Sequence, residues 1–185
     1  MTVDKRVVGV YSENCYLIKK DNKGLIVDPG DEVDKILEMI GETKIVGILI
    51  THAHFDHIGA LKPLLEKIDV PVFYHNINNE INVNNLIDVK EKEYVIDNFK
   101  FDVIYTKGHR NDLVTYYFKD DKMMFTDDFL FYLSVGRTDF EYGDYEEMEE
   151  SIKKIKEYPT DTIIYPGHGT KTDLMFEIRY NSFLR

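Results

Sequence analysis

The 185-residue sequence has one cysteine, Cys15, no tryptophan and five prolines. A lone thiol excludes an intrachain disulfide and any zinc site built mainly from thiolates, so a bound metal must be held by His, Asp or Glu. No stretch approaches the roughly 18 continuous apolar residues of a membrane span, and the opening MTVDKRVVGVYSENC lacks the apolar centre of a signal peptide. A soluble, cytoplasmic protein is therefore expected. Positive charge is scarce too: 23 Lys and Arg against 34 Asp and Glu leave a formal net charge of −11, which opposes a nucleic-acid partner. What is present is 43% hydrophobic residues, including 13 Tyr and 11 Phe, enough to bury a core. The length fits a single domain spanning 1–185.

Short β-branched or aromatic runs at 5–11, 15–19 and 24–27, separated by Ser-Glu-Asn and Asp-Asn-Lys-Gly, predict a β-meander. Val33, Ile36, Leu37 and Ile40 fall at helical spacing before Gly41, so 31–40 reads as an amphipathic helix. The nearly continuous apolar run 45–50 has the character of a strand buried on both faces and ends at Thr51-His52. A helix is expected over 58–68, but Pro63 would cost about 3 kcal/mol at an interior position, so its regular part should follow Lys62 or the helix should kink. A strand at 70–74 precedes six Asn within 76–85, an irregular segment by composition. The second half repeats the pattern, with strands at 100–106, 113–118, 122–126 and 162–165, a helix at 144–157 and a closing helix from about Asp173. Asp144 and Glu147 have capping-box spacing, and the run of Glu then Lys in this helix reads as a solvated face matched to the helix dipole.

Of the six histidines, His52, His54 and His57 crowd with Asp56 into THAHFDHIGA. A core histidine is usually solitary, and three imidazoles beside a carboxylate repel or desolvate one another unless a cation gathers them. His109 in TKGH, Asp128 in FTDDFLF and His168 in YPGH each follow a predicted strand, where α/β architectures collect functional groups. Grouped as His52, His54, His109 and as Asp56, His57, His168, with Asp128 able to bridge, they make two N/O sites with open positions, suited to hydrolysis by zinc or iron. His75, outside this pattern, reads as a surface or loop residue, and Cys15 as a buried structural thiol.

The string HAHFDH with downstream His109, Asp128 and His168 resembles the metallo-β-lactamase superfamily, which implies an αββα sandwich with a two-metal site at one edge. The resemblance runs from Asn14-Cys15-Tyr16 and Val27-Asp28-Pro29-Gly30 to YPGHG. SVGRTDF, Gly143-Asp144-Tyr145 and YPGHG are similar to short glyoxalase II-like hydrolases, which cleave thioesters such as S-acylglutathione. The resemblance implies two divalent metal ions, zinc first and iron or manganese next, sharing a hydroxide that attacks the carbonyl. Asp56 and Asp128 would be catalytic as well as ligating, and Arg137 would bind a substrate carboxylate or else pair with Asp139. The sequence departs from the family pattern at Lys107, at Arg110-Asn111-Asp112-Leu113 and at Asp127, where Gly commonly precedes the bridging Asp. With the last ligand string so near Arg185, the helical domain that completes glutathione binding in longer relatives is not expected, which counts against glutathione specificity.

A small-molecule thioester or activated ester is thus the expected substrate, since a thiolate leaves without a strong general acid. The other reaction class is a mononuclear iron persulfide dioxygenase, which shares a Gly-Arg-Thr-Asp run like Gly136 to Asp139. Lactonase and nuclease activities rank lower, the latter because of the negative charge, and a non-enzymatic metal module would leave the open coordination positions unexplained.

Overall fold

The short β-branched and aromatic runs of the first 27 positions, broken by polar turns, build an antiparallel meander of β1 (Thr2–Val8), β2 (Glu13–Lys20) and β3 (Lys23–Val27). This computed structural model describes residues 1–185. Glu32 leads into α1 (Val33–Ile40), two residues later than the sequence predicts, and Gly41 ends it by donating its N–H to Leu37 O. The apolar run becomes β4 (Lys44–Leu49), parallel to β3 on one side and to β5 (Val72–Tyr74) on the other. With a strand on each edge, β4 is a central strand, and all but two of its residues are buried.

The helix expected over 58–68 is instead two short ones, α2 (Phe55–Ile58) and α3 (Leu61–Leu65). Pro63 sits in the first turn of α3, where an amide has no intrahelical acceptor, so its missing N–H breaks no ladder bond and no kink is needed. The Asn-rich segment carries no helix or strand, as its composition predicts, and its side chains bond locally: Asn76 Nδ2 donates to Ile81 O (3.1 Å) and Asn85 Nδ2 to Val70 O (2.8 Å). It returns through β6 (Leu86–Asp88), a strand the sequence did not signal, which closes a six-stranded sheet in the order β1-β2-β3-β4-β5-β6.

A second six-stranded sheet has the order β14-β13-β10-β9-β8-β7. Its members are β7 (Glu93–Ile96), β8 (Phe99–Tyr105), β9 (Val114–Phe118), β10 (Met123–Phe125), β13 (Ile163–Tyr165) and β14 (Thr172–Asp173). Between β10 and β13 come a small hairpin, β11 (Leu130–Phe131) with β12 (Ser134–Val135), and α4 (Tyr145–Ile155); α5 (Leu174–Tyr180) follows β14. The hairpin strands and β7 are only two to four residues long, too short to have carried a sequence signal. Asp144 and Asp173 cap their helices, accepting from Glu147 N and Phe176 N.

Contacts divide the chain into two compact units, 1–90 with 95–100 and 91–94 with 101–185. The first is built on a cluster that includes Leu17, Ile26, Ile36, Ile48 and Leu64. The second is built on one that includes Leu113, Met124, Phe129, Met148 and Ile155. Within the second, the buried carboxylate of Glu177 accepts from Thr172 Oγ1 (2.7 Å), Leu133 N (2.9 Å) and Asn181 Nδ2 (2.9 Å), tying α5 to the turn of the hairpin.

Candidate metal centre

In the first unit the parallel register of β3 and β4, with Val27 opposite Leu49, carries Asp28 alongside Thr51 just past the strand ends. Asp28 Oδ1 accepts the Thr51 N–H and Asp28 Oδ2 the Thr51 hydroxyl, both at 2.8 Å. With its one hydroxyl proton committed to Asp28, Thr51 Oγ1 acts as acceptor toward His52 Nδ1, 3.2 Å away. That assigns the His52 proton to Nδ1 and leaves a lone pair on Nε2. His52 Nε2 lies 2.9 Å from His54 Nδ1, and the His52 and His57 rings are 4.3 Å apart between centroids. Both His52 and His57 are fully buried. His57 Nε2 is 3.7 Å from Asp56 Oδ2 on the short helix α2. Gly59 allows that helix to press against the loop after β3: a Cβ there would stand 2.4 Å from Gly30 O.

In the second unit the parallel pairing of β10 with β13 extends into a bond from Thr126 N to Tyr165 O (3.1 Å) and delivers Asp127-Asp128 next to Gly167-His168. Asp127 adopts φ +49°, the left-handed conformation for which Gly is the usual residue, and Asp is among the few others that tolerate it. Its Oδ1 accepts the Asp128 N–H at 2.8 Å, so the departure at this position keeps the turn. His109 donates from Nδ1 to the carbonyl of Arg137 (2.7 Å), since a carbonyl only accepts, and its lone pair is again on Nε2. Asp128 stands between two imidazoles, with Oδ2 3.5 Å from His109 Nε2 and Oδ1 3.5 Å from His168 Nε2. These separations exceed good hydrogen bonds.

The first unit therefore gathers His52, His54, Asp56 and His57, and the second gathers His109, Asp128 and His168. The Arg137 side chain is engaged with Asp139, Nε to Oδ1 at 2.5 Å and Nη2 to Oδ2 at 2.6 Å, and lies over the Phe140 ring. That pairing holds the Arg137 guanidinium above its ordinary pKa and the Asp139 carboxyl below its own. Sequence reasoning missed the Arg137 carbonyl as the group that orients His109, because a backbone atom leaves no residue signature. Asp28, ahead of Pro29-Gly30, could support a ligand histidine or shape the turn. Asp28 does both: its φ of +45° makes the turn and its carboxylate fixes Thr51. The variant loop after His109 is stabilised by a buried ion pair, Arg110 Nε to Asp112 Oδ1 at 2.7 Å.

His75 lies in the loop just past β5, as one of the two readings had it, and is buried there rather than on the surface, with Nδ1 3.7 Å from Asp88 of β6, the strand that pairs with β5. Cys15 is buried as expected, and burial, reinforced by the negative charges of Glu13 and Asp28, pushes its thiol pKa well up, which suits a structural thiol and not a nucleophile.

A family model described as the metallo-beta-lactamase superfamily matches residues 8–168. Among curated proteins, the chain is 35% identical to the probable metallo-hydrolase YqgX of Bacillus subtilis, over 96% of this chain and 94% of that one. It is 32% identical to the hydroxyacylglutathione hydrolase GloC of Haemophilus influenzae, over 100% and 98%. Among solved structures, BLEG-1 B3 metallo-beta-lactamase superposes with a TM-score of 0.91 at 29% identity, covering 99% of both chains. TTHA1623 in a di-iron-bound form gives 0.88 at 31%, covering 98% of this chain and 100% of that one. ETHE1 from Myxococcus xanthus gives 0.88 at 29%, covering 98% and 84%.

Proposed function

The chain belongs to the metallo-beta-lactamase superfamily and has its fold, and from that premise we propose that it is a metal-dependent hydrolase of thioesters of the S-acylglutathione type. The observation that carries the reading is Asp128, whose two carboxylate oxygens face two different histidines at 3.5 Å each, the arrangement of a carboxylate shared by two cations. The donor chemistry fits divalent metals: the imidazoles of His52 and His109 have Nε2 lone pairs freed by hydrogen bonds at Nδ1, and carboxylates stand beside the histidines. His52, His54 and His109 would hold one ion and Asp56, His57 and His168 the other, with Asp128 common to both. Zinc is the first candidate, and the di-iron form of TTHA1623 supports iron as the second. The single domain 1–185 is proposed as the functional unit, in line with a family match that runs through both compact units.

When bound, such cations supply Lewis acidity toward an acyl carbonyl and lower the pKa of water. The chain's own groups do the rest. Asp28, through Thr51, holds the His52 ring in one orientation, and the Arg137 carbonyl does the same for His109. Asp56, at the start of α2 and part-exposed, is assigned to accept a hydrogen bond from the attacking water and orient it. The departing thiolate needs no strong acid, which favours a thioester over an amide. The hydroxyacylglutathione hydrolase relative, covered almost end to end, supports the same substrate class. A second reading, an iron-dependent persulfide dioxygenase, draws on the likeness to ETHE1 and on the Gly136 to Asp139 run.

The test is metal analysis by inductively coupled plasma mass spectrometry together with S-lactoylglutathione hydrolysis before and after chelation. About two metals per chain and chelator-sensitive cleavage are expected, and Asp128→Ala or His57→Ala should abolish cleavage and lower the metal count. Full activity in both variants would sink the site assignment. One iron per chain, no thioester cleavage and oxygen uptake with glutathione persulfide would establish the second reading.

A further inference from the structure

We propose that Asp127 is a second acidic group of the metal centre, holding the bound cations by its charge as well as shaping the backbone by its turn, an inference that rests on the metal-dependent reading above, in which Asp128 is shared by two ions. Asp127 lies in the second unit, two positions past β10, and is only 3% exposed. One of its carboxylate oxygens is within 4.8 Å of one of Asp128. Both carboxylates converge beside Gly167, where a Cβ would stand 2.6 Å from Asp128 Oδ1 and 2.7 Å from Asp127 Oδ1. The next residue is His168, whose Nε2 is 3.5 Å from Asp128 Oδ1. Asp127 therefore stands among the groups assigned to the cations without being one of the donors named above.

Two carboxylates taken out of water this close together each lose hydration, and each disfavours the charge of the other. A divalent ion held by Asp128 replaces that repulsion with attraction to a common positive charge. The turn by itself does not call for a carboxylate. At φ +49° Gly is free of strain and Asn is nearly so, and an Asn amide oxygen accepts an N–H as readily as Asp127 Oδ1 accepts that of Asp128, at 2.8 Å. What Asp adds over both is a full negative charge, and the bond to the Asp128 amide keeps that charge in place. With Asp where the family pattern has Gly, this chain carries one more negative charge beside its cations. Coulombic attraction acts on any divalent ion, whatever donor atoms that ion prefers. The consequence is tighter retention of metal when it is bound and a stability cost when it is absent.

Asp127→Asn keeps the turn and the hydrogen bond and removes only the charge, whereas Asp127→Gly keeps the turn alone. Zinc is withdrawn from each holoprotein by a graded chromophoric chelator, and the thermal midpoint is read in excess chelator, so neither readout needs turnover. The expected result is a zinc affinity lower by about tenfold or more in both variants, with the midpoint of metal-free Asp127→Asn equal to or above that of the wild type. Wild-type zinc affinity in Asp127→Asn, or a fall in its metal-free midpoint alongside the affinity, marks a residue that only shapes the turn and overturns the role of its charge. If Asp128→Ala loses zinc while Asp127→Asn retains it, the metal centre stands and Asp127 alone is excluded from it. A wild-type protein that holds neither zinc nor iron overturns the metal-dependent reading and the role of Asp127 together. Zinc affinity that depends on the Asp127 charge in a protein that cleaves no thioester keeps that role and overturns the thioester reading.

Discussion

At Gly167 a single added methyl would stand 2.6 Å from Asp128 Oδ1 and 2.7 Å from Asp127 Oδ1, closer than non-bonded carbon and oxygen approach. Gly167→Ala must therefore displace the carboxylate assigned to both metals. Bound metal and thioester cleavage are expected to fall by about tenfold or more with the far-ultraviolet circular dichroism unchanged, and full metal occupancy in the variant would show that Asp128 does not need this clearance. The ligand residue types were legible in the sequence because HxHxDH is dense enough to demand a cation. The groups that aim them were not. Thr51 and the Arg137 carbonyl act through one hydrogen bond each, and neither a threonine nor a backbone atom stands out in a string of letters. The burial of His75 was equally hard to read, because its charged neighbour Asp88 lies on β6, a strand only three residues long with half-exposed or exposed side chains.

Among the elements, α4 was the most legible, because its apolar period, its Asp144 cap and the stop at Pro159 agree with one another. Asp144 accepts from Glu147 N at 2.9 Å, and its own N–H donates to Gly108 O, next to His109, at 2.8 Å. Asp144→Ala should lower stability by about 1 kcal/mol, read from denaturant unfolding. A change below a few tenths would mean that water replaces the cap. Pro63 makes the opposite case. As an interior proline it would be costly, but in the first turn of α3 it displaces no hydrogen bond, so Pro63→Ala should change stability by less than about 1 kcal/mol, in the destabilising direction, through the freer unfolded chain. A large stabilisation would show that the proline strains the helix. The single long helix expected here failed because periodicity alone does not register a break at Gly59-Ala60 imposed by packing against Gly30.

For the molecule as a whole, cations held by histidines and carboxylates should stabilise the folded state by mass action, so chelation is expected to lower the thermal midpoint and zinc or iron to restore it. An unchanged midpoint after verified metal removal would mean that the ion does not favour the folded chain over the unfolded one, against these donors as its ligands. No helix is long and apolar enough to cross a membrane, in keeping with the absence of long apolar runs. The sequence by itself determined the family, most of the longer strands and helices and the residue types that can hold metal, because apolar period and donor spacing are local properties. Only the tertiary structure decided which nitrogen of His52 and of His109 carries the proton, that Asp128 stands between His109 and His168, and that the Arg137 side chain pairs with Asp139. Asp28 meets Thr51, and Asp128 meets His168, through parallel pairings, β3 with β4 and β10 with β13, which join residues more than 20 positions apart and leave no trace in local spacing.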